Sequence, residues 1–98
     1  MKKVPNAKRY YEPIPGETHK AWLAFCAYRD MGPTRSLDKA HNAITRREGR
    51  HQRHWATWSK KNHWVTRSEA YDIAVGKRQR KEVEEDRIAK YRSLFDEF

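Results

Sequence analysis

Apolar residues recur at helical spacing along this chain. One broad apolar face lies in residues 17–32, and the Gly-Pro pair that follows it is typical of a helix end. A narrower stripe follows in residues 36–45, where either Thr34 or Ser36 can cap the helix. The two sets of apolar positions are Trp22, Leu23, Phe25, Cys26 and Met31, then Leu37, Ala40 and Ile44.

Two further helices are predicted after a polar break. Residues 46–52, "RREGRHQ", contain no apolar side chain and predict a turn. Trp55 and Trp58 then share one helix face at spacing i, i+3. Thr66 and Glu69 form the pattern of a capping box, which predicts that a fourth helix begins there. The inward-facing residues predicted for this helix are Ala70, Ile73 and Ala74.

The two ends of the chain differ from this middle region. Residues 1–16 contain three prolines and four cations, and predict a flexible basic arm. Residues 76–98 predict a charged amphipathic helix for oligomerisation or partner docking, although its apolar stripe could equally fold back on the same domain. The interface residues predicted on this helix are Ile88, Tyr91, Leu94, Phe95 and Phe98. The expected architecture is all-α, with a compact three-to-four-helix domain over residues 17–75.

Composition narrows the class of protein. The chain has a net charge of +9 and an estimated pI of 9.9, which favours an anionic partner. No apolar run approaches a membrane span of about 20 residues, and the N-terminus lacks the apolar core of a signal peptide. The single cysteine, Cys26, indicates a reducing compartment. We therefore expect a cytoplasmic protein without a membrane partner.

The positive charge is concentrated in the middle of the chain. Between residues 35 and 67, nine basic residues stand against Asp38 and Glu48, which leaves seven of the net +9 there. Three short helices with a polar connection before the third suggest a helix-turn-helix, whose third helix enters the DNA major groove. The predicted DNA-binding residues are Arg35, Lys39, Arg46, Arg47, Arg50, His51, Arg53, His54, Lys60 and Lys61.

Different roles are expected within this set. Arg50 and Arg53 are placed to reach base edges if the third helix begins near His51, whereas Lys60 and Lys61 are expected to contact phosphate. The two neighbouring tryptophans are expected in the core. Stacking of either tryptophan on unpaired bases is the competing interpretation, and it would imply a single-stranded target.

Metal and catalytic chemistry are not expected. The two histidines of "HQRH" share a helical face, but no second Cys/His pair completes the four ligands of a structural zinc site. The sequence contains no glycine-rich phosphate loop, nucleophile elbow or His-Glu-x-x-His motif. We therefore expect a non-catalytic protein without a cofactor.

The segments "KAWLAFCAYRDMGPTRSLDKA" and "WSKKNHWVTRSEAYD" resemble the N-terminal helix-turn-helix region of small terminase subunits and related phage-encoded DNA-binding proteins. The connection between Ser36 and Trp58 is longer here than in that pattern. The matching positions are Phe25, Tyr28, Arg29, Asp30, Gly32, Pro33, Arg35, Ser36, Leu37, Lys39, Trp58, Ser59, Trp64, Arg67, Ala70, Tyr71 and Asp72.

The resemblance implies a function in viral DNA packaging. Small terminase subunits recognise viral DNA, form rings and pass the DNA to a large subunit that carries the ATPase and nuclease activities. A chain of this kind would bind double-stranded DNA as a homo-oligomer in the host cell cytoplasm, with the large terminase subunit as a possible partner.

Two alternatives remain open from the sequence. One is a small helix-turn-helix regulator of transcription or replication, which would bind as a dimer to half-sites about one helical turn apart. The other is a basic protein–protein module that binds an acidic partner, such as a host nucleic-acid enzyme.

Overall fold

Five α-helices follow one another in the computed structural model of the chain, which describes residues 5–75 and 80–97. No strand occurs within these two ranges, so the predicted all-α class is confirmed. Short 3-10 turns at Asn6–Lys8 and Gly32–Thr34 flank the first helix. The helices are α1 (His19–Asp30), α2 (Leu37–Thr45), α3 (Arg53–Lys61), α4 (Trp64–Val75) and α5 (Arg80–Phe95).

The first two helices begin at the hydroxyl caps that the sequence offers. Thr18 Oγ1 accepts a hydrogen bond from the Ala21 amide at 3.1 Å, and Ser36 Oγ accepts one from the Lys39 amide at 3.1 Å. Between them, Gly32 has a φ of 75°, the left-handed conformation that ends α1. The cap of α2 is therefore Ser36, the second of the two predicted candidates.

The core forms around α1, which packs against each of the other four helices. Residues 23–30 are all buried. Trp64 lies 5.8 Å from Phe25 and 6.1 Å from Trp55 between ring centroids, and Trp55 also meets Phe95 at 6.4 Å. The aromatic rings of four different helices thus meet at one point, and the core position predicted for Trp55 is confirmed.

The start of α4 differs from the prediction. The helix begins at Trp64, after His63 at a φ of 55°, so Thr66 lies inside the helix and does not cap it. Ile73, predicted to face inward, is 85% exposed. Burial of the Trp64 indole decides which face of α4 points to the core. The other buried residues of α4 are Arg67, Ser68 and Tyr71.

A buried ion pair holds α4 to the segment before α1. Arg67 donates to Glu17 Oε2 at 3.0 Å, and neither side chain is exposed to solvent. The same oxygen accepts a hydrogen bond from Trp64 Nε1 at 3.2 Å, and the guanidinium lies 4.1 Å from the Phe25 ring centroid. Because both charges are desolvated, each depends on the other to remain in the interior.

The N-terminal segment lies against the domain from residue 5 onward. Arg67 donates to the carbonyl oxygens of Arg9 and Glu12, and Arg29 donates to that of Tyr10 at 2.7 Å. Ile14 is buried. The flexible arm predicted for residues 1–16 is therefore wrong for 5–16, because buried guanidinium groups take up the carbonyl oxygens of this stretch; residues 1–4 lie outside the described residues.

The C-terminal helix folds back on α1 and α2. Phe95 belongs to the core, Tyr91 and Leu94 pack against it, and the Tyr91 hydroxyl donates to Asp30 Oδ2 at 2.8 Å. These three predicted interface residues are therefore used within the domain. Ile88 is half-buried, and Phe98 lies outside the described residues.

Candidate nucleic-acid interface

The helix α3 turns its tryptophans inward and its cations outward. Trp55 is fully buried, and Trp58 is half-buried with its ring centroid 6.3 Å from that of Trp64. A ring without solvent exposure has no free face for a base, so Trp55 does not provide the stacking platform of the single-strand interpretation.

The outward face of α3 combines cations with small side chains. At 100° per residue, Arg53, Thr57 and Lys60 lie close to one line along the helix, and all three are exposed. Ala56 and Lys61, to either side of this line, are exposed as well. Because Ala56 and Thr57 are small, the helix backbone can come close to the floor of a DNA groove. The methyl group of either side chain can contact the methyl group of thymine. We call this surface the α3 outer face.

The segment 46–52 adds three cations beside α3. Arg46 ends α2 with a φ of 63°, and Arg46, Arg47 and Arg50 are all exposed. The contact between Arg46 and Asp96 is 3.8 Å long and joins two exposed side chains, so it does little to neutralise the segment.

His51 fixes the end of this segment to the first turn of α2. Its backbone amide donates to Asp38 Oδ1 at 2.7 Å, and its Nδ1 lies 2.6 Å from the same oxygen. These hydrogen bonds hold the pKa of Asp38 below its ordinary value. His51, predicted to contact DNA, therefore joins the segment before α3 to Asp38 of α2 and helps to position the start of α3.

Arg35, also predicted to contact DNA, is instead an internal residue. Its guanidinium makes two hydrogen bonds to Asp72 and further ones to the carbonyl oxygens of Tyr28 and Arg29, at 3.1 and 2.9 Å. The Arg35 side chain is only 8% exposed. The prediction is wrong because Asp72, distant in sequence, lies directly opposite in the fold.

The other predicted DNA-binding residues remain at the surface. Lys39 is exposed, and its Nζ donates to the Thr34 carbonyl oxygen at 2.9 Å. His54 is exposed, with its ring 4.6 Å from that of Trp58, and partial burial lowers its pKa, with a smaller contribution from Lys20 and His41. The predicted cations that remain exposed in the structure are Lys39, Arg46, Arg47, Arg50, Arg53, Lys60 and Lys61.

Cavities flank α3 on both sides. One of about 280 Å³ lies next to His54 and extends to α1 and the end of α5. The other, of about 390 Å³, lies between Leu37, Ala56 and Val65. Ala56 and Lys60 of the α3 outer face belong to the lining of this second cavity.

Metal-ligating side chains do not gather in the described part of the chain, where no three His, Cys, Asp or Glu residues are placed to hold an ion. Cys26 is buried, and desolvation raises the pKa of its thiol to about 12. The thiol is therefore protonated at neutral pH and is not a nucleophile.

Comparison of the chain with protein-family models, curated proteins and solved structures gives no match. Within the described residues, no helix has the length and apolar character needed to cross a membrane.

A polar interior joins the helices. It consists of the ion pairs Arg29–Asp30 and Arg35–Asp72 and of Arg67, which shares the Glu17 carboxylate with the Trp64 indole. Sequence reasoning missed this interior, although arginine on the buried face of a helix, as in Trp64-x-x-Arg67, is a signal for a buried partner.

Proposed function

We propose that this chain is a non-catalytic DNA-binding protein that presents the α3 outer face to the major groove and the 46–52 segment to the phosphate backbone. The observation that carries the proposal is the separation of the two sides of α3. Its tryptophans serve the core, while its cations are directed to solvent.

The charges of the α3 outer face are available to a ligand. The helix contains no acidic residue, and within the described ranges no ion pair involves Arg53, Lys60 or Lys61. Exposed, unneutralised cations release counterions when they meet phosphate, which supplies most of the affinity of such proteins for DNA. Arg53, at the first turn, is the residue we assign to base edges.

The resemblance supports a more specific form of this function, the recognition subunit of a phage DNA-packaging machine, assembled as a homo-oligomer with a large terminase subunit as its partner. A helix-turn-helix regulator would use the same face as a dimer. The connection of α2 to α3, residues 46–52, is longer than the 3–4-residue turn of that motif. Light scattering of the protein with DNA separates a ring of many protomers from a dimer.

The direct test is fluorescence anisotropy with a labelled duplex of about three helical turns, at about 50 and 200 mM salt. Lys60→Ala should weaken binding to every sequence and lower the salt slope by about one. Arg53→Ala should cost about 1–3 kcal/mol and relax sequence preference. Lys90→Ala removes an exposed lysine from α5 and serves as the matched control.

Two results would oppose the proposal. If the wild-type protein did not bind DNA at low salt, the basic surface would instead be assigned to binding an acidic protein partner. If Lys90→Ala weakened binding as much as Lys60→Ala, attraction would come from net charge and not from the α3 outer face.

A further inference from the structure

A cavity of about 280 Å³ lies where α1, α2, the start of α3 and the end of α5 meet. It has room for several water molecules of about 30 Å³ each, and hence for a small anion. Four of its lining residues are cations or can become cations by protonation, and they come from three helices and the 46–52 segment. These residues are Lys20, His41, Arg47 and His54.

His41 in this lining has an unused polar atom. The residue is only 3% exposed, and its Nε2 has no hydrogen-bond partner among the residues that the structure describes. Its Nδ1 lies 3.2 Å from Asn42 Oδ1. Buried polar atoms in native proteins are nearly always satisfied, so the Nε2 ring nitrogen is a candidate partner for a group bound in the cavity. When protonated, the imidazole donates from both nitrogens and can serve Asn42 and an anion together.

The start of α3 contributes to the same cavity through Gln52 and His54. Gln52, the cap residue, makes no side-chain hydrogen bond to the helix, and the first turn contains no acidic residue. The first turn of α3 therefore provides no carboxylate of its own for the free amides and the positive end of the helix dipole. An anion in the cavity would supply negative charge at this position.

The cations around the cavity repel one another when no anion is present. Lys20 Nζ lies 4.9 Å from the Phe95 ring centroid, and Lys20 and His41 both contribute to lowering the pKa of His54, after desolvation. Asp96 is the one acidic residue in the lining, and it also contacts Arg46. Cations gathered at this density attract a dianion more strongly than a chloride ion.

We propose that this cavity binds a phosphate group held by Arg47, Lys20, the two histidines and the first amides of α3. The identity of its source rests on the proposed function, in which the phosphate belongs to bound DNA. Because His54 binds the anion best when protonated, and its pKa lies below the ordinary histidine value, affinity should fall as the pH rises through that lowered pKa. The anion should in turn raise the pKa of His54, since an opposite charge favours the protonated ring.

The first arm of the test uses inorganic phosphate on the full chain, followed by NMR of the histidine rings and the α3 amides, against sodium chloride at equal ionic strength. We expect saturable binding and a raised pKa of His54. Arg47→Ala should lower affinity about tenfold, the value of one charge-assisted hydrogen bond. Asp96→Asn should raise affinity, and Lys90→Ala, which removes an exposed lysine from α5, should leave it unchanged. Equal shifts with phosphate and chloride, or loss of binding in Lys90→Ala alone, would overturn the site.

The second arm compares a duplex with and without 5′-terminal phosphate. Preference for the phosphorylated end that disappears in Arg47→Ala assigns a terminal phosphate. An equal loss for both duplexes in Arg47→Ala assigns a backbone phosphate. If inorganic phosphate binds and neither duplex competes with it, the assignment to DNA is wrong and the ligand is a free phosphate. If DNA binding persists in Arg47→Ala but weakens in Lys60→Ala, the proposed function is supported. The cavity then takes no part in DNA binding.

Discussion

Replacing Arg35 with alanine distinguishes an internal role for this residue from the DNA contact that the sequence suggested. The substitution removes two hydrogen bonds to Asp72 and leaves the carbonyl oxygens of Tyr28 and Arg29 without their donor. Breaking a buried ion pair costs about 3–5 kcal/mol. Because the Asp72 side chain is 20% exposed and recovers part of its hydration, we expect a loss of about 2–3 kcal/mol.

The loss is large for a chain of this length, whose total stability should be about 5–15 kcal/mol. It corresponds to a decrease in Tm of about 10–20 °C. Urea unfolding followed by tryptophan fluorescence measures it directly, since the tryptophans lie in and around the core. In a double-mutant cycle, Arg35→Ala and Asp72→Ala should together cost about 1–2 kcal/mol less than the sum of the single changes.

The DNA measurement completes this test. At a temperature where the variant remains folded, Arg35→Ala should bind the duplex with unchanged affinity and salt slope. The reasoning is refuted if the variant is as stable as the wild type and binds DNA more weakly, because Arg35 would then face the ligand and not Asp72.

Three further predictions concern other parts of the fold. Phe95→Ala should lower the free energy of unfolding by about 3 kcal/mol in urea, because the ring lies in the core; a change of oligomeric state without loss of stability would contradict this. The pKa of Asp38 is lowered by His51, so the small stability it adds is present above the ordinary aspartate pKa and is lost as the pH falls through the lowered value. Acid titration of His51→Ala should lack this component. Cys26 should react with a thiol reagent at pH 8 only at the rate of unfolding, since burial raises its pKa to about 12; rapid labelling of the folded chain would show that the thiol is accessible.

Much of the helical framework can be read from local sequence. Ser36 and the Gly-Pro pair after α1 act within one turn of the chain, so their effects are visible in the order of residues. The amphipathic pattern of α3 likewise fixes which side of Trp55 and Trp58 is buried.

The start of α4 could not be obtained in this way. Thr66 and Glu69 satisfy a local capping pattern, but the burial of Trp64 outweighs it and begins the helix earlier, after a left-handed His63. Polar residues then occupy the inward face because Arg67 finds Glu17 there. Tertiary contacts override local preference at such positions.

Sequence reasoning placed Arg53 and Lys60 at the surface, where the structure has them, and their contact with DNA stays a prediction. It failed where a distant partner decides the position of a side chain. Arg35 is an internal residue only because Asp72 meets it across the fold, and no spacing in the sequence indicates that pair. The orphaned nitrogen of His41 likewise depends on four segments meeting at one cavity.

Arg29 has a consequence for how the chain folds. Its guanidinium holds the Tyr10 carbonyl oxygen at 2.7 Å and the Tyr91 hydroxyl at 3.1 Å, so residues near opposite ends of the chain meet on one side chain of α1. A nascent chain whose residues after Trp64 are still inside the ribosome would contain α1 but not α5, which packs against it. The domain should therefore acquire its native packing only after Phe95 has emerged, in one cooperative step, and amide exchange in α1 should report that step for the whole molecule.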